Sequence, residues 1–326
     1  MKHISVISMA AAIIVMSAMS CGRNRQSSAT ADITRLDRIV SEFGGMDEGV
    51  RDSIVSLHGT ALSDYLYMMG LRTGDLQSSI DSLAGSAAFA VFKPDVERYF
   101  TGEDSVKESL FKLNERLKKE GIIDYAPKYY AVISPYRQPI MLVDSTVFVA
   151  YNHYLGEGYE GYGSMPRYSV SVKYPGHIKY DVAEAIIDSE NREVEAENLS
   201  QRLLRDGALA YAVLNSVEDS SIGEYMGWTE AELDAARKGE RMAWERLAAL
   251  NLLYSTDEMD ARKLFDPSPA TTVLSPDLPG RMGRYLGLKI VESYVDRHGD
   301  ATVEFLLSPE FYSNPQSLIE SGYSPR

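Results

Sequence analysis

The stretch DSTVFVAYNHYLGEGYEGYGSMPRYSVSVKYPGHIKYDVAEAIIDSE, Asp144 to Glu190, changes its hydrophobic period twice. After the turn pair Asp144-Ser145, the run Thr146 to Tyr151 is β-branched and aromatic, which predicts a strand. Between Tyr151 and Tyr180 lie seven of the 21 tyrosines and five glycines. So many glycines exclude a regular element, and so many aromatics exclude a loose linker, so the segment reads as an ordered, packed loop. From Lys179 to Glu190, Val182, Ala185 and Ile186 recur at helical steps. Strand, Tyr/Gly loop and helix therefore follow one another, and the rest of the chain is arranged around them.

Upstream, Tyr129–Ser134 and Pro139–Val143 are two more short β-rich runs, giving a small sheet of about three strands. Before them the apolar residues fall at three- and four-residue steps from Ile33 to Phe43 and from Val50 to Met69, which predicts helices. Pro94 is suited to open a short helix, and Asp104 to cap one that ends at Gly121. Downstream the helices resume over Leu199–Val217. Thr229-Glu-Ala-Glu232 then has the form of a capping box opening a helix whose stripe includes Trp244, expected in the core. Pro267–Pro279 is an irregular excursion, after which Pro279 opens the last long helix and Asp300 caps a short one. In that long helix Gly283 and Gly287 lie one turn apart, and two interior glycines cost about 1 kcal/mol each. A close backbone neighbour or a bound group should offset them. The expected architecture is α+β and predominantly helical, a small mixed sheet packed on helices. A single domain is expected over 32–326, helical at 32–121, sheet and Tyr/Gly loop at 122–178, helical at 179–326.

The first 20 residues carry only Lys2 as a charged side chain and an apolar run from Ile4 to Val15. That is a secretory signal peptide, shorter than the roughly 20 apolar residues a bilayer span needs. Ala18-Met19-Ser20 places small residues just before the only cysteine, Cys21. This is the form of a bacterial lipobox, so Cys21 is expected to be acylated and to anchor the chain to a membrane. Residues 21–31 are then a polar tether.

A net charge of −14 opposes nucleic-acid binding, since phosphate recognition needs a basic surface. One cysteine excludes a disulfide framework and a cysteine-rich zinc site. Neither a P-loop nor a dinucleotide fingerprint is present, and no cofactor is expected. Three features could carry a ligand. Tyr154, Tyr159 and Tyr162 of the loop offer flat amphipathic rings for a sugar or peptide, or else fill core space. Arg281 and Arg284 beside the glycine face could take an anion or form ordinary ion pairs. Asp181, Glu184 and Asp188 share one helical face, where they could join a hard-cation site or simply be solvated.

The lipobox at Cys21, VFVAYNHYLG at Val147–Gly156, RDGALAY at Arg205–Tyr211 and PGRMGRYLGLKIVESY at Pro279–Tyr294 together resemble the gliding-motility lipoprotein GldB family of Bacteroidota. The resemblance covers most of the mature chain. It implies an envelope lipoprotein whose partners are other envelope proteins of the motility machinery or the type IX secretion machinery. Surface-exposed lipoproteins of that kind carry an acidic tag after the cysteine, whereas Arg23 and Arg25 stand here. A periplasm-facing anchor is therefore implied.

That family is in turn similar to predicted zinc peptidases of the zincin type, with HExxH on the helix after a small sheet. The order of elements agrees, which implies a degenerate zincin-like fold. Aligned in that order, Glu184 matches the glutamate, Ala183 and Ile187 stand where imidazoles belong, and Asp206 matches the third ligand. Glu184, Asp188 and Asp206 are then vestigial positions, with no metal and no catalytic residue expected, and the protein is expected to act non-catalytically through protein contacts. The alternatives are a hydrolase assembled from Glu184, Asp188, Asp206, His153 or His177, and a glycan- or peptide-binding lipoprotein.

Overall fold

A computed structural model describes residues 30–71, 75–135, 138–191, 194–267 and 273–325. The expected signal peptide, Cys21 and nearly all of the expected tether lie outside the described residues. The chain opens with β1 (Ile33–Arg35) and continues through α1 (Leu36–Glu42), α2 (Glu48–Met68), α3 (Leu76–Ala84), α4 (Ala87–Tyr99) and α5 (Asp104–Lys119). β2 (Lys128–Val132), β3 (Ile140–Val143) and β4 (Thr146–Ala150) follow. They join β1 in a four-stranded sheet of order β1-β2-β4-β3. β1, β2 and β4 run parallel and β3 runs antiparallel at the edge. The sheet is thus mixed, with one strand more than the sequence pattern suggests.

The additional strand corrects the helix expected from Ile33. Ile33 pairs with Tyr129, and the β-branched pair Ile33-Thr34 suits a pleated backbone, so the helix starts at Leu36. Arg35 ends the strand buried, forked onto the fully buried Asp37 at 2.8 and 2.6 Å and reaching Glu103 at 2.8 Å. Burial costs these charges solvation, and the bidentate geometry offsets it by fixing where α1 and α5 meet the sheet. Pro94 lies inside α4 instead of opening a helix. At α5 the N-cap is Glu103, with Asp104 in the first turn.

Beyond the sheet come α6 (Arg167–Val170), α7 (Ile178–Glu190), α8 (Leu199–Ser216), α9 (Ile222–Met226), α10 (Glu230–Ala249), α11 (Glu258–Phe265) and α12 (Met282–Arg297). Three short helices close the chain: α13 (Val303–Leu307), α14 (Pro309–Tyr312) and α15 (Pro315–Ser321). Thr302, not Asp300, caps α13 by accepting from the Phe305 amide. The capping box of α10 forms as the sequence predicts, Thr229 Oγ1 accepting from Glu232 N and Glu232 Oε2 accepting from Thr229 N at 2.8 Å. Trp244 is half-buried against the core, edge-on to Tyr323 at 5.2 Å.

α7 lies on β3 and β4, α8 lies on α7, and α12 crosses α8. That last crossing explains Gly287, while Gly283 makes room for Phe265 and Leu264 of α11. A Cβ added at Gly207 of α8 would fall 2.2 Å from the Gly287 carbonyl carbon, and one at Gly287 would fall 2.1 Å from the Leu203 oxygen. The two backbones touch, so a neighbouring helix, not a bound group, uses the space at Gly287.

Between the sheet and α7 the Tyr/Gly loop is packed, not displayed. Tyr151 stacks on Phe100 at 3.9 Å between centroids, and Tyr159 meets Tyr162 edge-on at 4.9 Å. Gly161 leaves room for the Tyr159 ring, which a Cβ there would meet at 2.4 Å. One contiguous cluster of buried side chains runs from Ile33 to Tyr312 and includes Tyr151, Tyr154, Tyr159 and Tyr162.

Candidate functional site

One face of α7 builds the wall of a cleft of about 960 Å³. Residues separated by three and four positions along a helix share a face. Asp181, Glu184 and Asp188 do so, joined by His177 just before the first turn, and all four line the cleft. The opposite face of α7, Val182, Ala183, Ile186 and Ile187, is fully buried against the sheet and α8. The other walls are the edge strand β3 (Ile140, Met141, Leu142), Arg202 and Asp206 of α8, Tyr225 of α9, and Arg281 and Arg284 at the start of α12.

Four of these groups form closed pairs. Arg284 Nη1 donates to Glu184 Oε2 at 2.9 Å and lies 3.0 Å from the Tyr225 hydroxyl, which donates to the same carboxylate oxygen at 2.7 Å. Asp181 Oδ2 accepts from the Tyr154 hydroxyl at 2.7 Å, and Oδ1 lies 3.4 Å from His177 Nε2. Asp188 faces Arg205 at 3.5 Å, and Asp206 lies 3.8 Å from Arg202 Nε.

Burial pulls the two aspartates upward, yet they end on opposite sides of the usual carboxylate range. At Asp181 burial is outweighed by the hydrogen bond and charge of His177, the Tyr154 hydroxyl and Arg281, which together hold it below that range. At Asp206 burial prevails over Arg284, Arg202 and Arg205, and the carboxyl stays above it.

Arg281 is held differently. Its backbone has φ 65°, the left-handed region that a non-glycine residue adopts at a cost of roughly 1–3 kcal/mol. Its amide donates to Asp266 O at 3.1 Å, and its Nη1 donates to the carbonyls of Tyr225 at 3.4 Å and Met226 at 3.1 Å, at the C-terminal end of α9. A cation there meets the negative end of the helix. Among the described residues no carboxylate lies within ion-pair distance of Arg281, which lines the cleft.

The structure thus brings together Asp181, Glu184, Asp188, Asp206, Arg281, Arg284 and His177 and leaves His153 and the loop tyrosines elsewhere. His153 is not part of the cleft; it sits 3.1 Å from Lys173 Nζ inside the loop. The rings of Tyr154, Tyr159 and Tyr162 are 1%, 8% and 5% exposed, and their hydroxyls donate to Asp181, Asp95 and the Asn152 carbonyl. They fill core space and present no platform to a ligand. Sequence reasoning missed Arg202, Tyr225 and the open edge of β3. Only Gly227, which ends α9 in the left-handed conformation, hinted at the turn that sets Tyr225 in place.

Zinc of the zincin type does not fit these residues. Ala183 and Ile187, the positions at which imidazoles would stand, point into the core, so the alignment through Glu184 is one of register with the buried face. Of the groups that do line the cleft, His177 supplies the one imidazole, and Glu184 is enclosed by Arg284 and Tyr225. Tetrahedral zinc draws on several nitrogen or thiolate ligands. Among the described residues no three His, Cys, Asp or Glu side chains are placed to share an ion.

The fold and the cleft define a mostly helical α+β protein with a four-stranded mixed sheet and a recess walled by one sheet edge and by residues of α7, α8, α9 and α12. The family described as gliding motility protein GldB matches residues 23–325, and the chain belongs to that family of motility-associated lipoproteins. No curated protein and no solved structure matches the chain. Among the described residues no helix is long and apolar enough to cross a membrane.

Proposed function

We propose that the protein is a lipid-anchored envelope component that acts by binding other envelope proteins, without catalysis, in gliding motility or the type IX secretion associated with it. The observation that carries this reading is the Glu184–Arg284–Tyr225 ring. The carboxylate best placed on α7 to serve as a base or ligand is held by a guanidinium and a hydroxyl at 2.9 and 2.7 Å. A general base must come within hydrogen-bond reach of the proton it takes, and here Glu184 Oε2 is already engaged by both neighbours. The scaffold is, in this reading, zincin-like with its ligand helix adapted to recognition. The anchor is Cys21, in a membrane facing the periplasm.

The test is purification of the full chain from native membranes without chelator, with metal content, peptide hydrolysis and co-purifying proteins measured together. Defined envelope partners with sub-stoichiometric metal are expected. Stoichiometric zinc with peptide hydrolysis lost in Glu184→Gln would overturn the reading. Cys21→Ala is expected to release the chain from membranes, and retention there would remove the anchor.

A further inference from the structure

β3 is an edge strand, and hydrogen-bond parity shows which of its groups face outward. Val143 opposes Thr146 across the Asp144-Ser145 turn, Met141 opposes Phe148, and Pro139 O accepts from Ala150 N at 2.8 Å. In an antiparallel ladder every second residue turns its N–H and C=O to the partner strand. Residues 139, 141 and 143 therefore bond to β4, and Ile140 and Leu142 direct their amides and carbonyls away from the sheet. Both residues line the cleft, and no other hydrogen bond among the described residues uses those groups. An open sheet edge is a template for another strand.

One side chain in the same cleft carries a charge without an ion pair. Arg281 has no ion pair among the described residues, and its strained backbone is held so that its guanidinium stays beside α9.

We infer that β3 is a docking strand: the C-terminal end of a partner protein pairs in extended form with Ile140 and Leu142, and its terminal carboxylate sits on Arg281. This rests on the binding reading above and names the ligand. A chain terminus brings backbone groups for the edge and an anion for the arginine in one ligand, independent of its side chains. A second copy of this chain is a poorer occupant, because its own β3 lies half-buried in an identical recess and two recessed edges cannot meet.

The probe is a library of random nonapeptides displayed with free C-termini and panned on the full chain in detergent. Selected peptides are then made as free acids and as amides, and binding is followed by fluorescence anisotropy. The free acid is expected to bind at least tenfold more tightly than the amide, and Arg281→Gln to reduce that ratio to near one. Leu142→Pro removes an outward N–H that β4 does not use and is expected to weaken every peptide at least tenfold. N-methylation along the peptide leaves the protein untouched, so it reads strand pairing even if Leu142→Pro fails to fold. Every second methyl group should abolish binding. Equal binding of acid and amide, or no alternation, would overturn the proposal. So would concentration-dependent dimerisation that selected peptides do not disrupt. A native partner that co-purifies but is not displaced by these peptides would sink this inference and leave the binding reading standing.

Discussion

The Tyr/Gly loop and the cleft meet at α7 and both looked like ligand sites by composition, but they use their polar groups in opposite ways. In the loop each hydroxyl at issue has an internal acceptor: Tyr154 on Asp181, Tyr159 on Asp95, Tyr162 on the Asn152 carbonyl, with Tyr162 also accepting from the Leu155 amide. In the cleft, Glu184 is paired, yet Arg281 has no ion pair among the described residues and the outward edge of β3 is open. Rings that supply apolar area and satisfy their own hydroxyls build a scaffold. A concave surface with a few convergent, uncommitted groups is what a ligand can use.

The strongest way to break this contrast is Tyr162→Ala. If the ring is scaffold, its removal should cost about 3–5 kcal/mol, as for other large aromatic truncations in a core. Tyr162→Phe, which loses only the bonds to Asn152 O and Leu155 N, should cost about 1–2 kcal/mol. Chemical denaturation measures both, and an unchanged midpoint would return the loop to the list of binding surfaces.

Next in size is Gly287→Ala. Its Cβ would meet the Leu203 oxygen at 2.1 Å, so α8 and α12 must part, at a cost of about 3 kcal/mol, the upper end for overpacking. Gly158→Ala has nothing within 4 Å and should stay within about 0.5 kcal/mol of the parent. Because α12 carries Arg284 and is capped by Arg281, Gly287→Ala should also weaken peptide binding, which Gly158→Ala should not. Smaller again is Glu184→Gln. It leaves Arg284 without its counter-charge in a cleft that solvent partly reaches, and should cost about 2 kcal/mol.

Much of this was legible in the sequence, and the parts that were not share a cause. Strand patterning marked β2, β3 and β4, the capping box marked the start of α10, and helical periodicity put Asp181, Glu184 and Asp188 on one face. Gly283 and Gly287 announced a close approach, and Gly287 makes it with backbone. Each of these signals is local, spanning a turn or a pair of strands. Whether a polar group is committed is decided at long range: Tyr154 finds Asp181 27 residues on, and Arg284 finds Glu184 100 residues back. No period encodes those meetings. β1 was hidden for a related reason, since three residues are too few for alternation to stand out beside the helical stripe that follows.

The smallest expected effect sharpens the contrast by its sign. Asp181, bonded by the loop's Tyr154, has a folded pKa below its ordinary value, so the stability it contributes is present above the unfolded pKa of about 3.9 and is lost as pH falls toward the folded one. Asp206, on the cleft side, has a folded pKa above the ordinary value. Its contribution is therefore complete below about pH 3.9 and declines as pH rises through the folded pKa. Thermal unfolding from pH 3 to 7 should then show two different departures from the parent curve. Asp181→Asn should flatten the loss on the acid side, and Asp206→Asn should flatten the decline on the neutral side. Parallel curves for Asp206→Asn and the parent would mean that water reaches this carboxylate freely, and the cleft floor would then be no drier than the surface. A flattened curve would instead mark the α8–α12 crossing as the element that keeps Asp206 desolvated, and in that case Gly287→Ala, by opening the crossing, should restore an ordinary titration there.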